Sequence, residues 1–248
     1  MLRAVPDVAV DRVVVLLGTS LFGDLSPAEL EPLAGAATVR RAVRGEHIFD
    51  VGEPADAIYI VVSGQLKDAT YSDDGAEITH SLWEPGQFFG EVGFFARSRR
   101  RVMSMQALEP STLVVLGREP LMAFLASHPT IALKLLEDVA TTSQWQTGMY
   151  LSRARRPLAD RVVLRLLDLA EASGTVDAAV ATTPRLSQST LAAMVGASRE
   201  NVNRVLAGLA ADGSVLAVDG RYRIADPVRI RQRIAADWSA VSAGPNDR

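Results

Sequence analysis

The sequence predicts an α+β fold: an N-terminal β-roll of the jelly-roll kind, a long helix, and a C-terminal winged helix-turn-helix. Three observations carry this prediction. Between residues 38 and 117, short runs of β-formers alternate with turn glycines. Three of these (Gly64, Gly75, Gly86) fall 11 residues apart, the rhythm of an antiparallel barrel or roll. Pro129 then opens a helical stretch that continues to about residue 152. Finally, residues 187–206 read SQSTLAAMVGASRENVNRVL, two capped segments of helical periodicity around Gly196.

The elements follow in order. The apolar run at residues 13–17 is far too short to span a membrane, and acidic residues precede it, so neither a signal peptide nor a membrane anchor is expected. The expected compartment is the cytoplasm. Ser26-Pro27-Ala28-Glu29 combines a cap, a proline at the first helical position and a glutamate placed to close a capping box; it starts a short helix to about Leu33. Strands are expected at 57–62, 65–71, 78–82, 103–108 and 112–116, with Asp73-Asp74-Gly75 as a hairpin turn. A helix over 118–127 precedes the long one. Along the long helix Ile131, Leu135, Val139, Trp145, Met149 and Leu151 make a roughly two-faced stripe, broken by polar residues 141–144. One face is expected on the roll and the other on a partner helix as a dimer coiled coil, the alternative being burial within its own chain. Residues 153–157 read as a hinge, 158–172 as a helix and 174–184 as a loop. Residues 215–224, broken by Asp219-Gly220, read as a winged hairpin, and 226–238 as a final helix. Residues 244–248 are expected to fray.

In the helix-turn-helix, Ser187 caps a helix over 188–195, Gly196 tolerates a left-handed turn, and Ser198 caps the second helix. Val202, Val205, Leu206 and Leu209 make the apolar face of that second helix, and small Ala192 lets the pair cross closely. Its opposite face presents Arg199, Glu200, Asn203 and Arg204 near the N-terminal end, the end a recognition helix pushes into the major groove. Arginine forks onto guanine O6 and N7, while a carboxylate accepts from the cytosine amino group. A glutamate also repels phosphate, so on a DNA-facing helix it reads as a base contact. The plainer alternative is a helical hairpin with solvated charges.

Composition narrows the chemistry. With no cysteine, disulfides, thiol nucleophiles, thiolate zinc and iron–sulfur clusters are excluded. The three histidines, His47, His80 and His128, are scattered, which argues against a metal site. No catalytic Ser/His/Asp set, metal spacing or P-loop occurs, so an enzyme is not expected. The net charge of −3 divides into −7 for residues 1–150 and +4 for 151–248, where arginine supplies all 14 cations. That asymmetry suits a chain of which only one domain meets phosphate.

A second constellation lies in the β-rich part. Gly90-Glu91-Val92-Gly93 precedes a cationic cluster, Arg97, Arg99, Arg100 and Arg101. Glycines that let backbone N–H groups approach an anion, a carboxylate for a sugar hydroxyl and an arginine for a phosphate would suit a nucleotide. An ordinary turn beside a solvated arginine loop is the other reading.

With these residues the chain resembles the cAMP receptor protein/FNR (Crp/Fnr) family of bacterial transcription regulators, from about Leu21 to Tyr222. That family's phosphate-binding cassette runs approximately F-G-E-(L/I)-(G/A)-L-F and then R-(S/T)-A. Here the residues are Phe89, Gly90, Glu91, Val92, Gly93, Phe94 and Phe95, then Arg101-Val102-Met103. The recognition pattern S-R-E-x-x-x-R is met by Ser198, Arg199, Glu200 and Arg204. The resemblance implies a cyclic-nucleotide-binding domain over 1–128, a dimerisation helix and hinge over 129–157, and a DNA-binding domain over 158–248. It implies cAMP as effector, with Gly90, Glu91, Val92, Arg101 and Val102 around the ribose and phosphate, and Gln146 and Thr147 at the adenine. It also implies a homodimer on double-stranded DNA, a TGTGA half-site touched by Ser187, Gln188, Ser198, Arg199, Glu200, Asn203 and Arg204, and RNA polymerase as a partner. Two positions depart from the pattern. Val102 removes a hydroxyl donor to the phosphate, which would weaken binding by roughly 1.5–3 kcal/mol if nothing replaces it. Met103 stands where a small alanine is usual. A regulator of the same kind without cyclic-nucleotide dependence is the alternative.

Overall fold

The computed structural model describes residues 10–71, 77–177 and 179–242, apart from the side chains of 145–155 and 235–242. The described residues fall into two compact units. One comprises residues up to Thr70 with His80–Trp145, the other Tyr71–Thr79 with residues from Gln146 onward.

The first unit opens with helix α1 (Arg12–Leu17), capped by the Asp11 carboxylate. Helix α2 (Pro27–Ala36) follows, closed by the reciprocal Ser26/Glu29 capping box that the sequence predicts. The roll comprises β1 (Thr38–Ala42), β2 (His47–Phe49), β3 (Ala57–Ser63), β4 (Leu66–Tyr71), β5 (Glu77–Trp83), β6 (Phe88–Phe89), β7 (Ser104–Ala107) and β8 (Ser111–Gly117). They form two four-stranded sheets, ordered β1-β8-β3-β6 and β2-β7-β4-β5. A one-turn helix, α3 (Glu91–Phe95), interrupts the strands after β6. The hairpin expected at Asp73-Asp74-Gly75 lies outside the described residues, as do 244–248.

Strand β3 shows why the core divides in two. Its alternation turns Ile58 and Ile60 toward the helices and Tyr59 and Val61 toward the second sheet. Ile58 and Ile60 join Phe22, Leu30, Leu121 of helix α4 (Arg118–Ser127) and Ile131 in one apolar cluster. Tyr59 and Val61 join Phe49, Leu66, Phe89 and Met105 in the other. Three strands go beyond the sequence expectation: β1, β2 and β6. Of these, β2 and β6 have three and two residues, too few to show a period.

Helix α5 (Pro129–Arg155) passes unbroken through its polar run, where the Thr141 hydroxyl donates back to the Glu137 carbonyl at 2.8 Å. It also takes in residues 153–155, so the expected hinge narrows to Arg156 and Pro157. In the second unit, α6 (Leu158–Ala172) precedes α7 (Gln188–Val195), α8 (Arg199–Ala211), the hairpin β10 (Val215–Val218) and β11 (Arg221–Ala225), and α9 (Pro227–Ser242). The stretch 174–184, expected as a loop, contains a strand, β9 (Val180–Thr182), which pairs antiparallel with β11. Three residues give no periodic signal, yet they satisfy the open edge that a bare hairpin would leave.

Candidate functional site

The two constellations singled out in the sequence lie in different units, and each is built from local chain geometry. In the helix-turn-helix, the Ser187 hydroxyl accepts from the Thr190 N–H at 3.0 Å and the Ser198 hydroxyl from the Asn201 N–H at 3.3 Å. Gly196, at φ +63°, makes the left-handed turn between the helices. Arg161 of α6 donates to the Val195 carbonyl at 2.8 Å, satisfying an acceptor that the end of α7 leaves open. Val202, Leu206 and Leu209 are buried, which leaves Ser198, Arg199, Glu200, Asn203 and Arg204 exposed on the other face of α8. Ser187 is exposed and Gln188 partly so.

Gln188 and Asn203 are bonded to each other, Nε2 to Oδ1 at 3.1 Å, a link between the two helices that spacing alone did not reveal. Arg204 leans on Asn201 at 3.4 Å, whereas Arg199 and Glu200 extend from the first turn of α8. The wing turn, Asp219-Gly220, has positive φ at both residues, as a type I′ hairpin requires. The wing is tied to the chain before α7 by Leu186 N–H donating to the Gly220 carbonyl at 2.8 Å and Arg221 donating to that of Thr183 at 3.1 Å.

In the roll, Gly90 has φ +97° and precedes α3. Loop 96–101 is stapled to the segment before β3, by Ala55 N–H to the Arg99 carbonyl and Arg101 N–H to that of Glu53. Val92 is half-buried, and Gly93 is buried beside the Arg100 carbonyl. Glu91 and Arg101 are each only 4% exposed. The Arg101 guanidinium donates to the Ala57 carbonyl at 2.8 Å and to the Gly90 carbonyl at 3.0 Å. Its carbon lies 4.1 Å from the centre of the Phe49 ring and 5.4 Å from that of Tyr59. Its Nε is buried with no partner. Glu91 Oε2 is likewise buried and unpartnered. Burial, with Asp138 and Asp68 adding negative charge nearby, pushes the Glu91 carboxyl up to about 7. Asp138, on α5, is itself raised by burial.

Val102 is 45% exposed and Met103 partly buried. Gln146 and Thr147 lie outside the described side chains. The sequence reading missed Phe49, Tyr59, Asp68 and Asp138. Asp68 and Asp138 had a usable signal: each falls on the inward register of its element, two residues after buried Leu66 and three after buried Leu135. Among the described residues no cluster of three or more His, Asp or Glu side chains is placed to hold a metal ion. No described helix is long and apolar enough to cross a membrane.

Comparison with known proteins follows the same division. Residues 39–128 match the family model of the cyclic nucleotide-binding domain, and residues 160–233 match that of the Crp-like helix-turn-helix domain. The chain is 30% identical over 220 residues to a CRP-like cAMP-activated global transcriptional regulator of Mycobacterium tuberculosis, covering 88% of this chain and 98% of the relative. It is 28% identical over 223 residues to the cyclic AMP receptor protein of Thermus thermophilus, covering 87% and 96%. Among solved structures, FixK2 from Bradyrhizobium japonicum shares the fold with a TM-score of 0.68 at 21% identity, over 79% of this chain and 96% of that one. The c-di-GMP responsive global regulator CLP of Xanthomonas campestris gives a TM-score of 0.61 at 26% identity, over 81% and 99%.

Proposed function

Because the chain belongs to the Crp/Fnr family of transcription regulators, whose members are regulators and not enzymes, we propose that it is a cytoplasmic homodimer that reads a TGTGA-type palindrome under cyclic-nucleotide control, cAMP being the first effector to test. The observation that carries the DNA reading is the face of α8, where Arg199, Glu200 and Arg204 stand free of the core at the helix N-terminal half. In this reading Arg199 and Arg204 fork onto guanines and Glu200 accepts from a cytosine, while Ser187, Ser198 and the wing hold phosphates. Gln188 and Asn203, bonded to each other across the two helices, contribute polar contacts at the groove edge in the same reading. RNA polymerase is the expected protein partner.

The roll bears on the effector. Buried, unpartnered Glu91 Oε2 suits a sugar hydroxyl donor, so Glu91 fits the ribose position. Gly90 and Val92 form the cassette backbone, Arg101 supplies the cation for a phosphate, and Gln146 and Thr147 on α5 would face the base. A cyclic nucleotide bound there supplies a negative charge and a base. A second reading, the same regulator without cyclic-nucleotide dependence, has two observations in its favour: Arg101 already donates to two backbone carbonyls, and Val102 offers no hydroxyl.

A gel-shift titration with a TGTGA palindrome, with and without cAMP, tests both halves. Arg199→Ala and Glu200→Ala are each expected to weaken binding by about 1–3 kcal/mol and to relax the choice of base at one position. Wild-type affinity in both variants overturns the readout. Equal affinity with and without cAMP or cGMP selects the second reading.

A further inference from the structure

The setting of Arg101 goes beyond a cation placed for a ligand. A guanidinium offers five N–H donors in one plane. Here one N–H of Nη1 goes to the Gly90 carbonyl and one N–H of Nη2 to that of Ala57, Nε is buried without a partner, and Phe49 and Tyr59 lie against the group; the residue is only 4% exposed. The two carbonyls belong to different elements, Gly90 at the start of α3 and Ala57 at the start of β3. Gly90 is needed for this seat, because a Cβ there would lie 2.7 Å from Nη1. Arg101 therefore ties the cassette to the sheet and is itself shielded from solvent.

We infer that Arg101 is a latch: in the free protein it fastens α3 to β3 through two carbonyls against an aromatic face, and an anionic effector must draw the guanidinium off that seat to be held. The inference rests on the cyclic-nucleotide reading above. The latched and drawn arrangements are two states of one side chain, and only the second brings its N–H donors out of the buried seat to a phosphate. A ligand that binds one state pays for the population of the other, so its apparent affinity is lowered by the fraction of chains that are latched. The loss of the Gly90 contact on drawing would also free the N-terminus of α3 to move. That links ligand capture to a displacement of the cassette.

Weakening the seat without touching the cation is then expected to tighten ligand binding. Phe49→Leu keeps an apolar side chain in the cluster and removes the ring face nearest the guanidinium. In calorimetric titration of the full chain with cAMP, this variant is expected to bind about tenfold tighter than wild type, the scale of a desolvated cation–π contact. The cAMP concentration for half-maximal DNA binding in the gel shift is expected to fall by the same factor. Should Phe49→Leu fail to melt cooperatively, Phe49→Met, which fills irregular space with an unbranched chain, carries the same test. Detectable binding by the variant alone also supports the latch. Equal or weaker binding by a folded variant, with wild type binding, overturns the latch and leaves the effector reading intact. Absence of heat with cAMP and cGMP in wild type and variant overturns the effector reading, and Arg101 is then a permanent tie and no latch.

Discussion

Glu91 illustrates how far one side chain is governed by its surroundings. Its carboxyl is held near 7 in the folded chain against an ordinary value of 4.5, chiefly because burial disfavours the charged form. Between those two values the folded state binds more protons than the unfolded one. The stabilising contribution is therefore fully present below 4.5, falls as the pH rises, and is lost above about 7. The difference amounts to about 3 kcal/mol. Glu91→Gln, which carries no charge at any pH, is expected to exceed wild type in stability by up to about that amount near pH 8 and by little near pH 5. Urea denaturation at the two pH values reads this directly, and parallel curves for the two proteins contradict it. Arg101 is the complementary case. Burial disfavours its charge too and pulls its pKa below the ordinary value, while two carbonyls and an aromatic face stand in for part of the lost water.

At the scale of elements, the turn between α7 and α8 depends on backbone conformation more than on packing. A Cβ at Gly196 would meet only Arg161 Nη1, at 4.0 Å. The cost of Gly196→Ala therefore comes from its positive φ, about 1–2 kcal/mol, measurable by chemical denaturation. A cost near zero would mean the turn relaxes. Helix α5 raises a different question. Leu133 and Leu136 are 60% and 64% exposed, while Ile131 and Leu135 on the other face are buried in the roll. Leu133, Leu136 and Ala140 follow the i, i+3, i+7 spacing of a coiled-coil seam. Leu136→Glu is expected to convert the protein to a monomer in analytical ultracentrifugation while its helical content is retained. A monomeric wild type, or a variant that stays dimeric, would refute the seam.

For the whole molecule, charge and symmetry matter most. Residues 151–248 carry +4 against −7 for the remainder, so attraction to phosphate is concentrated in the part that contains the helix-turn-helix. Affinity for DNA is expected to fall steeply with salt, and loss of one arginine–phosphate contact should reduce the log–log slope by about 1. The proposed two-fold dimer also requires its half-sites on one face of the duplex, about one helical turn apart. Inserting five base pairs between them turns one half-site through about half a turn and is expected to reduce binding to that of a single half-site, whereas ten base pairs only separate the sites along one face. Equal binding to both spacings would show that the protomers act independently.

The sequence by itself determined the elements whose signals are local. Capping serines, a glycine at a left-handed turn and a 3.6-residue apolar period located α7 and α8, and β-rich runs between turn glycines located five strands of the roll, β3, β4, β5, β7 and β8. Motif residues read in order placed Gly90, Glu91 and Arg101 in one cassette. Only the tertiary structure decided what those residues do once surrounded. Arg101 meets Ala57, 44 positions away, and Phe49 lies farther still along the chain. Gln188 finds Asn203 across the turn, β9 finds the edge of β11, and Glu91 is desolvated beside Asp68 and Asp138 from two other elements. Such meetings depend on long-range closure of the sheet and packing of the helices. Burial and hydrogen-bond partners are properties of that closure, so no window of neighbouring residues contains them.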